Sequence, residues 1–140
     1  MSNLNYDRQI AELIATKLQG MAPCLPEKPV FKRIPIIRLE SLRTGDRRIF
    51  VSPMSDSGID VLSVAITHLK LIDQKNLEQE VESEITIDNR ILEFLHGNRW
   101  LGECGTILKI QRPTICDWEE AHDDGLFHSV ILLDVGEQYA

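Results

Sequence analysis

Residues 77–97 read LEQEVESEITIDNRILEFLHG, and the fold turns on whether this stretch is a helix or a strand. Glutamates stand at 78, 80, 82 and 84. In a strand all four would line one face, and a like-charged ladder without cations is unfavourable. In a helix, alternate residues lie about 200° apart, so Glu78 and Glu82 share one flank while Glu80 and Glu84 share the other. Between the flanks runs an apolar stripe of Leu77, Val81, Ile85, Leu92 and Leu95, which predicts a helix from about Asn76 to His96, closed by Gly97. On this reading the stripe docks on a sheet and the four glutamates sit in water. Asp88 falls inside the stripe; a break there, with Asp88 capping a second, shorter helix, is the alternative.

Outward from this helix, VLSVAITHLKLI (61–72) is the best strand in the chain, with Leu62, Val64 and Ile66 on one face and Ser63, Ala65 and Thr67 on the other. Residues 5–20 predict an amphipathic helix through Ile10, Leu13, Ile14 and Leu18, stopped near Gly20. MAPCLPEKP (21–29) holds three prolines and reads as an extended connector. VFKRIPIIRLE and RRIFVSP read as two strands of a long-looped hairpin around SLRTGD, followed by the polar loop SPMSDSGID. After the long helix come a strand at GTILKIQRP, a partly helical polar loop at TICDWEEAHDDG, a last strand at LFHSVILLDV and a frayed tail from 136 to 140. The order α-β-β-β-α-β-β predicts an α+β fold. A mainly antiparallel sheet of about four to five strands carries the N-terminal helix and the long helix on one face.

The chain of 140 residues is a single domain's worth, 1–140, able to bury roughly two thirds of its unfolded surface. Its longest apolar runs fall far short of the ~18–20 residues of a membrane span, and its start lacks the features of a signal peptide, so it is expected to stay where it is made. Cys24, Cys104 and Cys116 cannot all pair and have no regular spacing, which favours a reduced, cytoplasmic setting. A net charge of −7 argues against a surface that grips nucleic acid throughout. The charge is polarised, however. Lys28, Lys32, Arg33, Arg38, Arg43, Arg47 and Arg48 face only Glu40 and Asp46 within 28–48, while 73–93 is acidic.

No catalytic motif stands out. Cys104, Cys116, His122 and His128 are the candidate zinc ligands, and their spacings match none of the usual paired sets. Cys116 with His122 would be a thiol and its base, without an orienting third group. There is no phosphate loop, GxGxxG, GxSxG or HExxH. The expectation is no catalytic residue, no metal and no cofactor. RTGDRR could touch a phosphate backbone, or be an exposed solubilising turn.

The layout resembles the tail terminator, or tail completion, proteins from the neck of long-tailed bacteriophages and related prophages. The likeness runs through YDRQIAELIATKLQ, RRIFVSPMSDSG, VLSVAITHLKL, the long helix with Val81, Ile85, Leu92 and Gly97, ILKIQRP, and the last strand with Ser129, Val130 and Leu132. It implies a structural virion protein, made in the bacterial host cytoplasm, that is not an enzyme. Its partners would be itself in a hexameric ring, the tail tube protein and the head connector or stopper, with DNA passing through the channel and no membrane involved. The alternatives are a head-completion or stopper neck protein, or a small cytoplasmic metal-dependent hydrolase using Asp and Glu. Within the ring reading, Arg43, Arg47 and Arg48 on a flexible hairpin loop near 40–48 are the expected assembly contact. Glu78, Glu80, Glu82 and Glu84 are expected to line the channel or face the next subunit.

Overall fold

A computed structural model describes residues 6–21, 25–56 and 61–136, with the side chains of 55 and 56 left aside. Cys24 and the expected frayed tail at 137–140 lie outside the described residues. The elements are α1 (Tyr6–Gln19), β1 (Val30–Phe31), β2 (Arg47–Asp56), β3 (Val61–Leu71), α2 (Leu77–Gly97), β4 (Thr106–Thr114), α3 (Trp118–Asp124) and β5 (Leu126–Gly136). One five-stranded sheet, ordered β1-β2-β3-β5-β4, is antiparallel except for the short β1–β2 pair, and the class is α+β as expected.

β3 is central because it can be buried on both faces. Val64, Ile66 and His68 point to one side, Ala65, Thr67 and Leu69 to the other, and all are buried. The first side carries the main core. There Ile10, Ile14 and Leu18 of α1 and Ile87, Ile91 and Leu95 of α2 pack on Ile49, Val51, Val64, Ile66, Ile131 and Leu133. Apolar burial at about 25 cal/mol per Å² makes this layer the main stabilising contact of the fold.

Two sequence expectations are corrected. The stretch VFKRIPIIRLE is not one arm of a hairpin. β1 keeps only two residues and pairs in parallel with Phe50 and Val51, and the hairpin partner of β2 is β3. Parallel pairing demands a crossover, so residues 32–46 cross to the second face of the sheet, where Ile37 and Leu42 pack against Phe50, Leu69 and Leu126. Nor is the 40–48 loop free. Gly45 N–H donates to Leu71 O at 2.7 Å, and Leu71 N–H donates to Asp46 O at 3.0 Å, which ties the turn to the end of β3. Helix α2, in turn, runs without a break through Asp88.

Candidate functional site

The face of α2 turned to the sheet is set by residues 77, 81, 84, 88, 91 and 95, a four-three alternation that keeps one side of a helix in register. Two of these six are carboxylates. Glu84 and Asp88 are both fully buried, and the sheet beneath offers each a set of partners. The strand register assembles those partners: His68 lies opposite Ile49 and Ser129, and Arg47 lies opposite Lys70.

Arg47 donates to Glu84 through two atoms, Nε to Oε1 at 2.6 Å and Nη2 to Oε2 at 2.8 Å. Lys70 Nζ stands 3.6 Å from the same carboxylate. Arg47 and Lys70 are a like-charged cross-strand pair that would repel, and Glu84 is the anion that makes their juxtaposition favourable. His68 bridges the two carboxylates, with Nδ1 2.8 Å from Asp88 Oδ1 and Nε2 2.9 Å from Glu84 Oε1. A neutral imidazole carries one N–H, so donating to both carboxylates requires the imidazolium. Ser129 Oγ donates to Asp88 Oδ2 at 2.5 Å, and Arg112 Nη2 lies 3.8 Å from that oxygen. Phe127 meets the His68 ring edge-on, with centroids 4.9 Å apart.

The electrostatics agree with an imidazolium. Burial opposes charge on His68, but the hydrogen bonds to Asp88 and Glu84 outweigh it and raise the pKa above the usual 6.5. Burial likewise opposes charge on Glu84, yet the bonds from Arg47 and His68 bring its pKa down to about 2. The bond to Glu84 raises Arg47 above its ordinary value.

Chemically, this arrangement holds elements together. Ser129 offers its proton to Asp88 rather than to His68, so the order is wrong for a base-activated nucleophile. His68, Glu84 and Asp88 are sealed from solvent, where a substrate would need to reach them. The described cavity near the end of α1, lined by Leu18, Gln19, Leu25, Glu27, Lys28 and Pro29, holds about 200 Å³ and contains none of these groups.

The other sequence candidates are scattered. Cys116 is buried, and burial followed by the nearby Asp117 charge raises its thiol pKa, the reverse of an activated nucleophile. His122 is exposed beside Asp123, and His128 pairs with Glu120 at 3.0 Å. Tyr6 Oη donates to the carbonyl of half-buried Cys104. Among the described residues, no group of three or more His, Cys, Asp or Glu is arranged to hold a metal ion.

The glutamate and arginine expectations need correction. Glu78 and Glu82 are exposed and Glu80 is half-buried, but Glu84 is buried because the docked face is centred between Val81 and Ile91. The stripe positions Ile85 and Leu92 are only half-buried for the same reason. Arg47 is not a loop-tip cation, since Glu84 occupies its guanidinium, and Arg48 is half-buried and donates to the Arg47 carbonyl. Arg43 alone of the three is exposed.

Sequence reasoning missed His68, Arg47's partner and Ser129. The signal was phase: His68 continues Leu62, Val64 and Ile66; Ser129 continues Ile131, Leu133 and Val135; Arg47 continues Ile49 and Val51. Polar residues in phase with three buried strand faces, opposite two acids in phase with a buried helix face, predict a buried charged network.

Comparison of the chain with protein-family models, curated proteins and solved structures gives no match. Among the described residues, no helix is long and apolar enough to cross a membrane.

Proposed function

We propose that this chain is a structural subunit of the bacteriophage neck, a non-enzymatic tail terminator that forms a six-membered ring on the tail tube and joins it to the head connector. The sequence resemblance suggests this machine. The distribution of chemistry supports an assembly role: the His68, Glu84 and Asp88 network is sealed under α2, while Ile34, Ile36, Trp100 and Trp118 are left outside, Ile36 at 70% and Trp100 at 63% exposure. Large exposed apolar and aromatic side chains mark contact surfaces more often than catalytic clefts. That contrast carries the reading.

Glu78 and Glu82, exposed on the outer face of α2, remain the carboxylates for a channel or inter-subunit face. An acidic lining would keep DNA from sticking in transit. The protein would be found in the virion neck.

Imaging of assembled particles, with native mass spectrometry of the neck, tests the proposal. A six-fold ring of this chain between tube and connector is the expected result. A particle without this chain, or a ring of another order, overturns it.

A further inference from the structure

The segment that crosses the second face of the sheet and the short helix α3 expose surfaces of opposite character. Along the crossing arm, Ile37 and Leu42 turn inward to the sheet, while Ile34 and Ile36 turn outward at 59% and 70% exposure. The arm is held in this posture: Lys32 Nζ donates to Ile36 O at 2.6 Å, and its ammonium lies 4.7 Å from the Phe50 ring centroid. Arg38 and Arg43, farther along the arm, are exposed and make no salt bridge to a described residue; the exposed Glu40 lies between them in sequence, so the arm keeps a net positive charge. The arm thus presents an apolar strip with unpaired cations.

At α3 the signs reverse. Ile115 and Trp118, on either side of the Asp117 cap, are 51% and 56% exposed. Glu119, Asp123 and Asp124 are exposed around them, and no Lys or Arg among the described residues pairs with any of the three. An isolated subunit leaves both surfaces in water.

We propose that the arm of one copy docks on the α3 patch of a second copy, with Ile34 and Ile36 against Ile115 and Trp118 and with Arg38 and Arg43 facing Glu119 and Asp123. The inference rests on the assembly reading above and names the surfaces that would make it. A second copy is the occupant because apolar strip meets apolar patch and cations without a salt bridge meet carboxylates that no Lys or Arg of the described residues neutralises, with each chain supplying one of each. Planar guanidinium groups suit both the carboxylates and the face of an indole. The two surfaces differ, so the contact is head-to-tail: a docked pair keeps one free α3 patch and one free arm for further neighbours, and such contacts close into rings when the rotation permits.

The test is a charge swap on the full chain, followed by sedimentation velocity at low and high salt. Arg38→Glu with Arg43→Glu, or Glu119→Arg with Asp123→Arg, should each weaken self-association on the order of tenfold or more, because like charges then face one another. Mixing the two variants should restore association, since every arm then meets an α3 patch of opposite sign. All four positions are exposed, so the variants are expected to fold, which far-ultraviolet circular dichroism checks. In a Trp100→Phe background, Trp118 emission should move to shorter wavelength on association. A wild-type chain that stays monomeric, variants that associate normally, or a mixture that stays apart overturns the contact. The neck reading fails separately. Particles whose ring is intact with the arm variant sink the interface alone, whereas a swap-dependent oligomer absent from particles sinks the neck alone.

Discussion

Arg47 and Glu84 form a two-pronged ion pair, at 2.6 and 2.8 Å, that joins the middle of α2 to the first residue of β2. Glu84 is fully buried, and it also accepts from His68 and neutralises Lys70. Its removal strands three cationic or hydrogen-bonding groups at once.

Glu84→Ala is therefore expected to cost about 3–5 kcal/mol, the range for breaking a buried pair from one side. Urea unfolding followed by far-ultraviolet circular dichroism measures it; Trp100 and Trp118 are exposed and would report poorly by fluorescence. A loss no larger than the ~1 kcal/mol of a surface pair would show that the network does not anchor the helix.

Stability should peak in mildly acidic solution. The His68 pKa is raised in the fold, so its contribution is full below the ordinary 6.5 and is lost as pH climbs through the raised value. The Glu84 pKa is depressed, so its contribution is full above the ordinary 4.5 and is lost as pH falls toward about 2. Both contribute fully only between these ordinary values. Urea midpoints measured across pH should fall on both sides of that window, and His68→Gln should flatten the alkaline limb. An unchanged alkaline limb in that variant would assign it to other groups.

The class of the fold was legible because strong periodicity and turn chemistry act locally: β3, β4, β5, α1 and the single long α2 follow from runs of residues that agree with one another. What was not legible depends on long-range register. Glu84 reads as a surface acid from its neighbours Glu78, Glu80 and Glu82, and its burial is made tolerable by partners distant in sequence, Arg47 at 37 positions and His68 at 16. The parallel β1 was missed because Ile34, Ile36 and Ile37 carry strand propensity, yet the backbone leaves the sheet after Phe31.

The corrected docking face has a measurable consequence. Ile91 is fully buried at the centre of the main core, and Ile91→Ala should cost about 2–5 kcal/mol. Ile85, half-buried at the margin, should cost well below that range when cut to alanine. Equal losses at the two positions would restore the stripe through Ile85 and contradict the docking described. Chemical denaturation of the two variants side by side decides it.

A last expectation concerns the junction between α3 and β5. Gly125 ends the helix in the left-handed region, at φ 66° and ψ 24°, with its N–H donating to Ala121 O at 3.1 Å and its carbonyl accepting from Ile72 N–H at 2.7 Å. A β-carbon there would stand 3.2 Å from the Ile72 carbonyl oxygen, which is backbone and cannot swing aside. Gly125→Ala should therefore lose roughly 1–2 kcal/mol from the left-handed backbone alone, and more from the contact. Gly97 is the natural control, since it ends α2 without a positive φ and has open space where a β-carbon would go. Gly97→Ala should stabilise by about 0.4–1 kcal/mol by reducing the freedom of the unfolded chain. Thermal unfolding of both variants should thus shift in opposite directions. A Gly125→Ala protein as stable as the parent would mean that the α3–β5 turn can rebuild in another conformation, and that the bond to Ile72 does not hold it.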